Sequence, residues 1–235
     1  MISKKRILYL ITRPDLGGAQ THVKDLIEGF SERYELHLAV GRKGALTEAL
    51  KNSGVSIHVL EHLKRSLNLN SDIRAIRETV SLIEQIQPHL IHAHSSKAGI
   101  VGRVAGKITG IPAIFTAHGW GFSPGTPKLR GAIALLAEKG CAMLAEKIIC
   151  VSESDRQFAL KQGVGDRDSL VTIRYGLRDR DFPLADPTFD PPRLIMVARF
   201  SEQKDQSTLL KALAKLENPQ ITLDFVGSGP FLERG

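Results

Sequence analysis

Two cysteines in 235 residues are too few for a disulfide framework, and Cys141 and Cys150 lack Cys-x-x-Cys spacing. Both sit in apolar stretches where a thiol packs as a small hydrophobe, which reads as reduced and hence cytosolic. Aromatic residues are scarce at 6% and are not interleaved with basic ones, which argues against a nucleic-acid partner. Long apolar runs are missing too. The longest uncharged stretch, Ile108 to Pro127, is broken by Gly110, Pro112, Gly119, Gly121, Pro124, Gly125 and Pro127, so no continuous membrane-spanning helix fits there. The basic start Met-Ile-Ser-Lys-Lys-Arg is followed by an apolar run, Ile7 to Ile11, too short for a signal-peptide core and better read as a first strand. The expectation is a soluble protein, or at most one attached to a membrane face.

What is present is an ordinary globular composition, 42% hydrophobic and 24% charged, enough for one full core and part of another. A formal charge of +7 favours phosphate-bearing small molecules or lipid head groups as partners. Lys97, Arg103, Lys107, Lys128 and Arg130 offer a membrane-facing patch, with solvated helix charges as the simpler alternative.

Short apolar runs recur at Arg6–Thr12, Glu35–Val40, Val55–Leu60, His89–Ala93, Pro112–Ala117, Ile148–Val151 and Leu170–Ile173. They are rich in Ile, Val and Leu without strict alternation, as in strands of a parallel sheet covered on both faces. Between them, Ala19, Val23, Leu26, Ile27 and Phe30 form a helical stripe that Gly29 and Ser31 help to end. Ile73, Ile76, Val80 and Ile83 form another, behind a Ser71 cap and closed by Pro88. The fold class is α/β and doubly wound, with ligands expected at the carboxyl ends of the strands. Residues 1–178 read as a complete N-terminal Rossmann-like domain, and the Pro- and Asp-rich stretch 179–192 as a linker. Residues 193–235 read as the first strand, helix and strand of a second, incomplete Rossmann-like domain.

Several residues suggest chemistry. Gly17 and Gly18 follow the first strand and open a helix, where bare backbone N–H groups and the helix dipole face an anion; a tight turn needing glycine dihedrals is an equal alternative. The turn is not a Gly-x-Gly-x-x-Gly fingerprint, and the second strand ends in Arg42-Lys43 where a ribose-binding acid would serve NAD. His92 and His94 point to one face at a strand end, and His118 follows another strand in Thr-Ala-His-Gly-Trp-Gly. No carboxylate accompanies them at metal-site spacing, so hydrogen-bonding roles rank above zinc. Trp120 is either a platform or a core plug. Arg199 and Lys204 would neutralise a diphosphate without a metal, against the plainer reading of loop charges paired with Glu202.

The ordered set Gly17-Gly18-Ala19-Gln20, His92-Ala93-His94-Ser95-Ser96-Lys97-Ala98-Gly99, Thr116-Ala117-His118-Gly119-Trp120, Ile149-Cys150-Val151-Ser152-Glu153-Ser154, Val197-Ala198-Arg199 with Lys204, and Phe225-Val226-Gly227-Ser228-Gly229-Pro230 resembles glycosyltransferase family 4, of the GT-B fold. The likeness is to bacterial enzymes of capsule, exopolysaccharide and lipopolysaccharide assembly. It implies retaining transfer of a sugar from a nucleotide diphosphate sugar to a lipid-linked or saccharide acceptor, with no cofactor and no metal. It implies His118, Arg199 and Lys204 as catalytic positions, and Gly17, Gly18, His94, Ser95, Gly119, Ser152, Glu153 and Gly227 as substrate-binding ones. It also implies a cytoplasmic location, peripheral on the inner face of the membrane.

The sequence departs from the family in having Tyr175-Gly176-Leu177-Arg178 where Asn-Gly-x-Asp is usual. The family's Glu-x7-Glu pair would lie beyond Gly235, so this chain alone is expected to be inactive or very slow. Glu138 and Glu146 share that spacing but read as a solvated helix face. Two other functions stay open: an acceptor-binding subunit whose missing lobe comes from a partner chain, and an NAD(P)-dependent oxidoreductase, the latter disfavoured by the glycine turn and Arg42-Lys43.

Overall fold

A computed structural model describes residues 4–15, 17–66, 68–176, 184–186, 188–216, 220–229 and 231–232. Residues 179–183 and 187 of the expected linker lie outside this set. The chain divides into two compact units, Met1–Leu177 and Arg178–Gly235.

In the first unit seven parallel strands form one sheet: β1 (Arg6–Ile11), β2 (Glu35–Val40), β3 (Ser56–Val59), β4 (Leu90–His94), β5 (Ala113–Ala117), β6 (Lys147–Cys150) and β7 (Leu170–Thr172). Their order is β3-β2-β1-β4-β5-β6-β7. The winding reverses between β1 and β4, and their ends are level, with Ile11 opposite His94. Such a reversal opens a crevice at the strands' carboxyl ends.

Among the described residues, six helices fill the crossovers: α1 (Gly18–Phe30), α2 (Ala45–Ala49), α3 (Leu69–Ile86), α4 (Ser96–Thr109), α5 (Lys128–Ala142) and α6 (Glu153–Lys161). Side chains on β1 alternate between two cores. Ile7, Tyr9 and Ile11 join Val23 and Ile27 of α1, while Leu8 and Leu10 join Ala75 and Ile83 of α3 and Val101 of α4. Both faces are thus apolar, which explains why the strands read as continuous hydrophobic runs. A third cluster, around Phe115, Trp120, Ile148 and Leu170, seats α5 and α6. Trp120 is a core plug, and its Nε1 donates to the Asp155 carbonyl at 3.0 Å.

Helix α4 presses closest to the sheet. A Cβ on Gly99 would stand 2.6 Å from the Phe115 ring, one on Gly102 3.1 Å from Ala93 Cβ, and one on Gly106 2.7 Å from the Ile111 carbonyl oxygen. These glycines exist for proximity rather than for unusual dihedrals.

The structure corrects three expectations. The cap of α3 is Asn68, whose Oδ1 accepts from Ser71 N at 3.0 Å, while the Ser71 hydroxyl donates to the His62 carbonyl. The propensity of both residues for caps made the choice ambiguous from sequence. Glu138 is not solvated. It is 2% exposed and accepts from Arg103 Nη2 at 2.6 Å, while Glu146 lies past the end of α5. Arg103 is itself wholly buried, with Nε donating to the Gly99 carbonyl and its guanidinium 4.5 Å from the Phe115 ring centroid. It therefore belongs to no surface patch. Lys97 is also withdrawn, its Nζ 2.6 Å from both carboxylate oxygens of Asp72.

The second unit comprises β8 (Arg193–Val197), a 3₁₀ turn (Glu202–Lys204), α7 (Gln206–Leu213) and β9 (Thr222–Val226), with β8 and β9 parallel and in register from Arg193↔Thr222 to Val197↔Val226. Its apolar residues stay open: Ile195 is 65% and Val197 73% exposed.

Candidate active site

Positions on β4 that face α1 carry His92 and His94, where β1 and β2 carry Tyr, Ile, Leu and Val. The rings of His92 and His94 are 4.2 Å apart and lie over Tyr9. His22, one turn into α1, approaches His94 at 5.9 Å and His118 at 5.6 Å. Tyr175, beyond β7, stacks on His22 with ring centroids 4.3 Å apart. Four histidines and two tyrosines thus meet at the switch between β1 and β4.

Hydrogen bonds order them. His92 Nε2 is 2.8 Å from Thr116 Oγ1. His94 Nδ1 is 3.0 Å from His118 Nε2, and His118 Nδ1 meets the Tyr175 hydroxyl. His94 Nε2 is buried with no partner. A neutral imidazole has one N–H, so the chain runs one of two ways. If Tyr175 donates inward, the last N–H is orphaned on His94. If His94 donates outward, only a lone pair is unmatched, and the Tyr175 proton is free to point at a ligand. An orphaned N–H is the costlier defect, which favours the outward direction.

No carboxylate takes part in these bonds, and burial decides the charge. It pulls His118 down to about 4 and His92 to about 3, and holds His94 well below the usual imidazole range, with neighbouring histidines adding to each shift. Burial lowers His22 as well, against the pull of Asp25. Burial pushes the Tyr175 phenol up to about 12. The cluster is therefore an uncharged hydrogen-bonding surface at neutral pH. Among the described residues, no group of three or more His, Cys, Asp or Glu is arranged to hold a metal.

Around it the backbone is exposed. Gly17 and Gly18 begin α1 one turn before His22, and a Cβ on Gly18 would touch nothing within 4 Å. Gly17 has φ 174°, extended backbone open to any residue, so the turn does not demand glycine for its dihedrals. Bare N–H groups at a helix N-terminus remain as the physical feature. Ser95 starts α4 with φ 70° and ψ 147°, a conformation rare outside glycine, held by a 3.0 Å bond between its Oγ and Thr12 Oγ1. Because that hydroxyl faces Thr12, it does not cap α4. Gly119, beside His118, has φ 108°, which does call for glycine.

Gly17, Gly18, His94, Ser95, His118 and Gly119 therefore gather around one crevice edge. Ser152 and Glu153 sit at the end of β6, two strands from His94, and both have structural partners. Ser152 caps α6 by accepting from Asp155 N at 3.0 Å. Glu153 accepts from Thr172 Oγ1 and Gln157 Nε2, each at 2.6 Å. Arg199, Lys204 and Gly227 belong to the second unit. Arg199 and Lys204 are exposed and, among the described residues, pair with no carboxylate, Glu202 included. Gly227 passes so close to β8 that a Cβ would lie 2.0 Å from the Ala198 carbonyl oxygen.

Sequence reading missed His22, Tyr175 and Thr12. For His22 the signal was its place four residues after Gly18, which turns it over the strand ends. Tyr175 stood out only as a departure from the family's asparagine.

The profile of glycosyltransferase family 4 matches residues 16–176. The chain is 27% identical over 177 residues to the UDP-Gal:α-D-GlcNAc-diphosphoundecaprenol α-1,3-galactosyltransferase of Escherichia coli, covering 74% of this chain and 46% of that protein. It is 24% identical over 230 residues to the O-antigen biosynthesis glycosyltransferase WbnH of Escherichia coli, covering 97% and 64%. Among solved structures, Anabaena Alr3699/HepE in complex with UDP and glucose superposes with TM-score 0.76 at 21% identity, covering 98% of this chain and 63% of that one. Sucrose-phosphate synthase of Thermosynechococcus elongatus does so with TM-score 0.76 at 19% identity, covering 95% and 62%. The chain thus spans between 46% and 64% of the length of these proteins.

Proposed function

Since the chain belongs to glycosyltransferase family 4, with the GT-B type of α/β fold, we propose that it is the acceptor-side part of an enzyme of cell-surface polysaccharide synthesis. The reaction is transfer of a sugar from a nucleotide diphosphate sugar to an acceptor hydroxyl. The observation that carries this reading is the neutral chain Tyr175–His118–His94 at the crevice edge, flanked by the open N-terminus of α1. A sugar or acceptor hydroxyl both donates and accepts hydrogen bonds, and this neutral chain offers it partners of both kinds.

The UDP in a structural neighbour and the UDP-Gal and diphosphoundecaprenol in a relative's name support a uridine nucleotide and a lipid-linked acceptor here. In this reading His118 orients the reacting sugar or acceptor, and Gly17, Gly18, His94, Ser95 and Gly119 line the crevice. Gly227 lines the donor side. Arg199 and Lys204 hold the diphosphate and stabilise the charge that grows on it as the sugar–oxygen bond breaks, so no metal or cofactor is required. Ser152 and Glu153 act through the shape of the α6 start. Transfer retains the anomeric configuration, and the protein works on the cytoplasmic face of a membrane.

Incubating the chain with UDP-sugars and a lipid-diphosphate acceptor tests this. Acceptor binding that His118→Ala weakens, with turnover absent from the chain alone, is the expected result. Acceptor binding indifferent to His118 would refute the site, and robust turnover would refute the dependence on a further lobe.

A further inference from the structure

Helix α5 is built inside out for a surface helix. Its inner side is anchored by Leu135, Cys141 and Ala142 and by buried Glu138 on Arg103. Its outer side carries Leu129 (76% exposed), Ile133 (46%), Leu136 (74%) and, at the C-cap, Met143 (90%). The spacings of four, three and seven residues put all of these on one stripe. Lys128, Arg130 and Lys139 are exposed around it, and the one acid within the helix, Glu138, points the other way.

We infer that this outer face of α5 is the surface by which the protein sits on an anionic lipid bilayer, with the apolar stripe sunk among the acyl chains and the three cations at head-group level. Lysine and arginine stems suit that arrangement, since their charged ends reach up to the phosphates while the stems stay in apolar surroundings. A second copy of this chain is a poorer occupant. From Leu129 to Met143 the stripe measures about 20 Å by 10 Å, roughly 200 Å², against about 800 Å² per partner in a stable interface. A two-fold contact would also set the three cations against their own copies. Gly121, in the loop after His118, bridges α5 to the start of α4, since a Cβ there would lie 3.4 Å from Ala134 Cβ and 3.7 Å from Ser96 Oγ, so a lipid-linked acceptor held at this surface starts close to the crevice edge. The inference shares with the proposed function the idea of a membrane-borne acceptor, but its readout needs neither donor nor turnover.

Flotation of the purified chain with phosphatidylcholine vesicles, with and without about 30% phosphatidylglycerol, tests it. The chain is expected to float only with the anionic vesicles, and less so as salt rises. Leu129→Ser with Leu136→Ser should weaken binding on the order of ten-fold or more, and Lys128→Glu with Arg130→Glu and Lys139→Glu on the order of a hundred-fold. All are exposed positions, and circular dichroism melting checks that the fold persists. Ile195→Ser, in the second unit, is the control and should change nothing. Failure to float, loss of flotation in the Ile195 control, or a dimer in size-exclusion chromatography that Leu136→Ser dissolves would each overturn the assignment.

Discussion

Lowering the pH should strip the protein of stability in a window set by the histidine cluster. The unfolded imidazole takes up its proton near pH 6.5, whereas folded His118 waits until about 4 and His92 until about 3. Folded-state values below the unfolded one mean that their contribution is complete above pH 6.5 and is lost as the pH falls toward the folded values. At pH 5 each ring withheld from protonation costs about 2 kcal/mol, so His92 and His118 together cost roughly 4 kcal/mol, and His94, held well below the usual imidazole range, acts in the same direction. That is a large share of the whole stability of an ordinary domain, about 5–15 kcal/mol. His22 and His58, lowered in the same direction, add to the loss. Urea denaturation followed by circular dichroism at about pH 7.5 and about pH 5 measures the difference directly. His92→Gln, which removes one titrating ring, should lessen the loss at pH 5 by about 2 kcal/mol. A loss below about 2 kcal/mol over the window, or an NMR titration placing folded His118 near 6.5, would refute the reasoning.

Three other predictions follow from the packing. Glu138→Ala leaves a wholly buried guanidinium unpaired and should cost about 3–5 kcal/mol in thermal or urea unfolding, while Arg103→Met with Glu138→Leu should recover most of it. Gly18→Ala should leave stability within about 0.5 kcal/mol, because its Cβ meets nothing, whereas Gly99→Ala drives a methyl into Phe115 and should cost about 1–3 kcal/mol by the same assay. Tyr175→Phe removes the hydroxyl from His118 Nδ1 and should cost about 0.5–1.5 kcal/mol. It should also shift the His118 ring-nitrogen resonances and leave those of His62 unmoved.

The sheet was legible because each strand is covered on both faces and so announces itself as an apolar run; the expected strand over Glu35–Val40 matches the observed one, and the other six are off by a single residue at one or both ends. Helices were less legible. In α4 the sheet-facing positions are Gly99, Gly102 and Gly106, so the stripe that marks an amphipathic helix is largely erased. In α5 the solvent side is as apolar as the core side, which hides the period. Glu138 misled for a related reason, since a charge within a helix normally reads as a solvated face and only its tertiary partner Arg103 says otherwise. At the site, the His92–His94 pair and His118 stood out by residue type and strand-end position. Their meeting with His22 and Tyr175 depends on which strands are neighbours, and sequence spacing does not encode that.

The glycine side of α4 has a mechanical meaning. Where hydrogen atoms alone separate a helix from a sheet, the gap cannot shrink, and any added methyl can only widen it. Gly99 lies four residues from Ser95, about 6 Å along the axis, and Gly106 a further 10 Å or so. Thickening the helix at either point lifts it as a rigid lever and carries its leading amides away from Thr12 and His94. The reach of the crevice edge is thus gauged from deep beneath it, by residues that no ligand touches.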